Sequence, residues 1–135
     1  MTGDYALEGR AVPESLNLLH DLLERVGREH TDLDAGDLMM FETAVIEVAG
    51  NVVEHGRPSG DVTLAFRLSV RSDRLEAELS DSGEEYLGGT RGTTLPADPM
   101  QEDGRGLALA AGVLDSLRYE RSAAANHWTM LRRMG

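Results

Sequence analysis

The 135-residue chain contains no cysteine. Disulfides, thiolate metal sites and thiol catalysis are excluded with it. Lysine is absent too: all 13 basic residues are arginine, set against 24 acidic ones. The formal net charge is −11 and the pI is near 4.7. A protein that holds DNA or RNA needs a positive footprint, so direct nucleic-acid binding is not expected. The same imbalance favours solubility and suits encounter with a basic protein partner. No apolar run approaches the ~20 residues of a membrane span. The first residues, MTGDYALEGR, show no basic segment leading into an apolar one, so no secretory signal is expected and a cytoplasmic location is. No internal repeat or low-complexity tract interrupts the chain. What remains is ordinary for a soluble globular protein, 41% hydrophobic and 27% charged, which supports one domain over residues 1–135 with a core of its own.

Residues 41–56, FETAVIEVAGNVVEHG, carry the strongest pattern. At 3.6 residues per turn Phe41, Ala44, Val45, Val48, Ala49 and Val52 form one apolar stripe. Glu47, Asn51 and His55 recur at i, i+4 and i+8, which stacks an acid, an amide and an imidazole along one edge. Gly56 stands where a C-terminal cap belongs and Pro58 prevents continuation. For an arbitrary amphipathic helix such an edge is simply solvated, so the rest of the chain has to decide.

Residues 4–12 alternate loosely, as a first strand would. Pro13 suits the first turn of a helix, and residues 14–29 place Leu16, Leu19, Leu23 and Val26 on one face, widened by Leu18 and Leu22. That face packs on a sheet, with its excess a candidate partner or dimer surface. His20 and His30 are expected to be solvated. Residues 31–37, TDLDAGD, offer N-cap groups for a helix from about 36 to 55. RPSGD at 57–61 reads as a turn. Residues 62–70 and 75–80 alternate with period two around the turn 71–74, the pattern of a hairpin with one buried face. Residues 81–106 hold six glycines and two prolines with no sustained period, a length that suits a ligand lid. A short apolar helix is expected over 107–117, and a closing pair of strands over 118–122 and 126–133. Trp128 belongs in the core; Arg132 and Arg133 are expected in solvent. The order β-α-α-β-β-loop-α-β-β predicts an α+β fold, a two-layer sandwich with helices on one face of a mixed, mostly antiparallel sheet.

Three separated fragments then suit one ligand. Gly104-Arg105-Gly106-Leu107 opens a helix, where backbone N–H groups and the helix end favour phosphate, and Arg105 adds positive charge. Asn51 offers a hard oxygen for Mg²⁺. Glu47, one turn away, is placed to accept a proton from an attacking hydroxyl. Asp81 can accept a hydrogen bond from an exocyclic amine, and Gly83 lets a ring lie close to the backbone. Each signal alone is common by chance; the ordered set is more specific.

The set resembles the Bergerat-fold (GHKL) ATPases, and within them the small bacterial anti-sigma factor serine/threonine kinases, over nearly the whole chain. Residues 47–56, EVAGNVVEHG, are similar to that family's N-box, Asp81-Ser82-Gly83 to its adenine-recognising box, and Asp103-Gly104-Arg105-Gly106-Leu107 to its phosphate-binding box. The resemblance implies ATP and Mg²⁺ as cofactors, Glu47 as catalytic base and Asn51 as the magnesium ligand. Asn51, His55, Asp81, Gly83, Gly104, Arg105, Gly106 and Leu107 would be cofactor-binding. His55 matches a position where the small family often has histidine. It implies phosphorylation of a serine or threonine on an anti-anti-sigma (STAS-type) protein, sequestration of a sigma factor, and a homodimer. Two departures stand out. Glu85 occupies the place of a second glycine in the adenine box, next to Glu84. Asn126 and His127 occupy the region of a Gly-Thr pair that touches the adenine network. They motivate the alternative of a degenerate, nucleotide-independent binding module on the same fold. A two-component histidine-kinase catalytic domain ranks third, because the chain is short for that class and shows no phosphoacceptor helix.

Overall fold

In the computed structural model the element order is β1 (Gly3–Arg10), α1 (Pro13–Glu29), α2 (Ala35–His55), β2 (Thr63–Val70), β3 (Arg74–Asp81), α3 (Arg105–Val113), β4 (Ser116–Ser122) and β5 (Ala125–Arg133). It describes residues 2–55, 62–85 and 105–134, with the side chains of His55 and Arg105 excepted. The strands form a five-stranded sheet in the order β1-β2-β3-β5-β4, and each of these pairings is antiparallel. The α+β sandwich expected from the element order is the fold observed, with no parallel pair among the described strands.

Strand alternation decides which face is buried. Reading across β1, β2, β3, β5 and β4, one inward row is Tyr5, Leu68, Ala77, Met130 and Leu117, and the next is Leu7, Phe66, Leu79, Trp128 and Tyr119. All but Leu7 are buried. The other face carries Arg67, Glu78, Thr129 and Arg118, which are exposed and in register. The helices cover the apolar face: Phe41, Ala44, Val45, Val48, Ala49 and Val52 of α2 are all buried, as their period required. Burying side chains of the Val, Leu and Phe class contributes about 1.5–3 kcal/mol each, so this layer carries most of the stability.

The helix ends follow from local chemistry. Val12 is extended, Pro13 takes the first helical position of α1, and Ser15 Oγ donates to the Arg10 carbonyl. Asp34 caps α2 by accepting from the Asp37 N–H at 2.9 Å. The last helix differs from the expectation of 107–117. It spans Arg105–Val113, and Ser116 and Leu117 belong to β4. The reason is pairing: the Asp115 N–H donates to the Leu131 carbonyl at 2.8 Å, and Leu117 is fully buried opposite Met130.

Three side chains lie elsewhere than expected. His30 is buried, not solvated. Its Nε2 is 3.0 Å from the Tyr5 hydroxyl, which itself donates to Glu29 at 2.5 Å, and the Arg25 guanidinium lies 5.0 Å from the Tyr5 ring centroid. Arg132 is not free in solvent. It donates to Asp37 Oδ1 at 2.7 and 3.1 Å and to the Val113 carbonyl, tying the start of α2 and the end of α3 to β5. Leu18 stands 53% exposed, so the widened face of α1 is not all core. Trp128 is buried as expected.

Candidate functional site

The apolar rows of the sheet stop abruptly at one end. The next inward row is Gly9, Leu64, Asp81, Asn126 and Arg121, in register across all five strands. Three polar side chains on adjacent strands therefore point to the side that otherwise holds core. Asp81 and Asn126 are buried. A buried carboxylate needs donors, and this one has them. Asp81 Oδ1 accepts from the Gly83 N–H at 2.9 Å and from Asn126 Nδ2 at 2.8 Å. Asn126 Nδ2 also donates to the Glu84 carbonyl at 2.8 Å. Asn126 Oδ1 accepts from the Tyr119 hydroxyl at 2.5 Å and from Arg121 Nη1 at 3.1 Å. Arg121 Nη1 reaches the Gly83 carbonyl at 2.7 Å. Burial pushes the Asp81 carboxyl up from its usual range. The Asn126 amide, the Gly83 N–H, the Trp128 indole and the Arg121 guanidinium offset only part of that.

A second group forms between the helices. Glu47 on α2 lies against the first turn of α3, so close that a Cβ at position 106 would collide with its carboxylate. Gly106 leaves room for the acid beside a helix N-terminus. Leu107, the next residue, is buried and anchors that turn in the core. Asn51, one turn beyond Glu47, is partly exposed.

Arg132 fixes the end of β5 beside Asp37 at the start of α2, and Asn126 lies six residues back along β5.

The sequence profile of the histidine kinase-like ATPase domain matches residues 9–132. The chain belongs to that family. The crystal structure of the RsbU and RsbW domains of Rv1364c from Mycobacterium tuberculosis superposes with a TM-score of 0.65 over 97% of this chain, at 19% identity. This chain spans 32% of that one, and the likeness speaks for the fold. No curated protein matches the sequence.

For a histidine kinase-like ATPase domain, the distribution of the expected site residues is informative. Glu47 and Gly106 are brought together, and Asp81 and Gly83 are joined by a hydrogen bond. Gly104 lies outside the described residues. His55 and Arg105 lie within α2 and α3, and their side chains are outside the description. Among the described residues, no group of three or more His, Asp or Glu side chains could hold a metal by itself. Magnesium bound mainly through phosphate and water asks for less, and Asn51 fits that smaller demand. Sequence reasoning marked Asn126 only as a departure and missed Arg121 and Tyr119. The signal was present: counted inward from Leu117, the alternation of β4 reaches Tyr119 and Arg121, and a charged residue on an inward position asks for a partner.

Proposed function

We propose that this ATPase domain binds ATP with Mg²⁺ and acts as an anti-sigma factor with serine/threonine kinase activity. The observation that carries the reading is Glu47 seated against Gly106 at the opening of α3. A helix N-terminus with no side chain at that position is a ready site for phosphate oxygens. A carboxylate held beside it is where a general base for an incoming hydroxyl is needed. Asp81, buried and donor-rich on one oxygen, would accept the exocyclic amine of adenine, with Gly83 flanking the ring. Asn51 would hold the metal. His55, Gly104, Arg105 and Leu107 complete the nucleotide-binding set in this proposal. The bound group supplies the transferable phosphoryl; the chain supplies orientation and the proton acceptor.

The proposed substrate is a serine or threonine of an anti-anti-sigma protein of the STAS type. The proposed regulatory target is a sigma factor, held by a homodimer in the cytoplasm. The net charge of −11 favours a basic protein surface as partner and disfavours direct contact with nucleic acid. Among the described residues no helix is long and apolar enough to cross a membrane. One observation favours the second reading, a nucleotide-independent binding module. Asp81 already receives hydrogen bonds from the Gly83 N–H, the Asn126 amide and the Trp128 indole, and Glu84 and Glu85 follow directly.

Calorimetric titration with ATP and with ADP, each with magnesium, separates the two readings. Saturable binding that is lost in Asn51→Ala supports the nucleotide site. Radiolabelled phosphate appearing on a STAS-type protein, and absent with a folded Glu47→Ala variant, supports the kinase. Flat traces with undiminished partner binding select the binding module.

A further inference from the structure

We propose that Asn126 is a positioning residue for nucleobase recognition: it aims the Asp81 carboxylate, pre-forms the turn at 83–84, and so sets the preference for a base bearing an exocyclic amine. The inference rests on the nucleotide reading above and deepens it. A primary amide has two donor hydrogens and two acceptor lone pairs. Asn126 uses all four, donating to Asp81 and the Glu84 carbonyl and accepting from Tyr119 and Arg121. This network fixes its orientation. A flipped amide would set its oxygen against a carboxylate and a carbonyl, and its NH₂ against two donors.

Three consequences follow for Asp81. First, a carboxylate offers about four acceptor sites, and the Gly83 N–H and Asn126 Nδ2 share Oδ1, so even with the Trp128 indole as a third donor Asp81 keeps acceptor capacity for a ligand's amine. Second, the carboxylate cannot rotate without breaking the bond to Asn126, which is itself held by Tyr119 and Arg121. Third, the backbone after Asp81 is tied down before any ligand arrives. Arg121 holds the Gly83 carbonyl and Asn126 holds the Glu84 carbonyl. A wall formed in advance loses less entropy on binding. Burial raises the Asp81 carboxyl, and Asn126 is the first of the groups that oppose the rise. Asn126 therefore favours the ionised form of the acceptor. A hydroxyl side chain at 126 could reach Asp81, but its single donor could not also hold Glu84.

ATP and ITP test this on the full chain. They differ at the purine 6-position, an amine donor in ATP and a carbonyl acceptor in ITP. A site built around an acceptor rejects the analogue that lacks the donor. The wild-type chain is expected to prefer ATP. In Asn126→Ser the preference narrows by about tenfold or more, mainly through weaker ATP binding. The acid limb of ATP affinity moves to higher pH, because one group opposing the rise of Asp81 is impaired. Hydrogen exchange of the Gly83 N–H speeds up in the ligand-free variant. Arg121→Gln, which removes a less buried partner, gives a smaller change in the same direction and covers the case of an unfolded Asn126 variant. Equal losses for ATP and ITP, or an unchanged pH profile, overturn the positioning role while leaving the proposed function standing. A wild-type chain that binds neither nucleotide removes the proposed function and this inference together.

Discussion

Gly106 illustrates how a single residue type can be dictated by a neighbour in another element. The obstacle to any larger residue is the carboxylate end of Glu47, not backbone. A long side chain can swing away, so Gly106→Ala has somewhere to go structurally. Alanine also favours a helix over glycine by up to about 1 kcal/mol. The expected outcome is an unfolding free energy in urea within about 1 kcal/mol of wild type, with the proposed phosphotransfer down by about a hundredfold because the proposed base has been turned out of place. Unchanged labelling in this variant would show that the position of Glu47 beside α3 does not matter. Much of this was legible. The spacing of Glu47, Asn51 and His55 and the Gly-x-Gly opening of α3 are local patterns, readable one element at a time. Asn126, Arg121 and Tyr119 act through register across β3, β5 and β4, and no single segment displays that. His30 was misread for the same reason: its partner Tyr5 lies on β1, 25 positions away in sequence.

At the scale of elements, the β4–β5 hairpin holds the polar row together. Ser122 pairs with Ala125, so the loop is Ala123-Ala124, and both residues have positive φ, 51° and 62°. Tight hairpins require this left-handed backbone, and their usual occupants are asparagine and glycine. Alanine there costs about 1–2 kcal/mol per residue. Arg121 and Asn126 are the second pair in from the loop, so a strained turn sits one register step from the hub. Ala124→Gly should therefore stabilise the chain by about 0.5–1 kcal/mol, measured as a rise in the urea midpoint at constant slope. A loss of stability would mean that the turn relaxes another way in solution. The sequence Ala-Ala-Ala at 123–125 has no turn signal, which is why the two strands were readable and their connection was not. The early end of α3 is a similar case. Apolar residues recur at Leu114 and Leu117, and only the ladder to β5 decides where helix gives way to strand.

At the scale of the whole molecule, two sheet faces and one charge imbalance govern behaviour. The layered architecture was readable because helix and strand periods alternate along the chain and each apolar face needs a cover. The surplus of 24 acidic over 13 basic residues makes the folded state repel itself near neutrality. Two carboxyls add to the effect. Burial raises Asp81, and burial raises Glu42, with His20 opposing and Glu24 assisting. A carboxyl raised in the folded state contributes stability that is fully present below its unfolded value and is lost as pH rises through its folded value. Lowering pH from neutrality toward the ordinary carboxylate range should therefore strengthen the ligand-free fold. Tyr5 limits the alkaline side. Desolvation, then its bond to Glu29, pushes it up to about 12 from 10.0, so its share of stability is present below 10.0 and lost as pH rises through about 12. Nucleotide binding should respond to acid in the opposite sense, since a protonated Asp81 carboxyl would present a donor to the amine. Thermal unfolding from pH 7.5 to 5.5 is expected to show a rising midpoint without nucleotide and a shrinking increment on adding ATP·Mg²⁺. Added salt should raise the ligand-free midpoint at pH 7.5 more than at pH 5.5, because only the more highly charged chain gains much from screening. A ligand-free midpoint that falls steadily as pH is lowered over that range would show that neither self-repulsion nor the raised carboxyls shape its stability near neutrality.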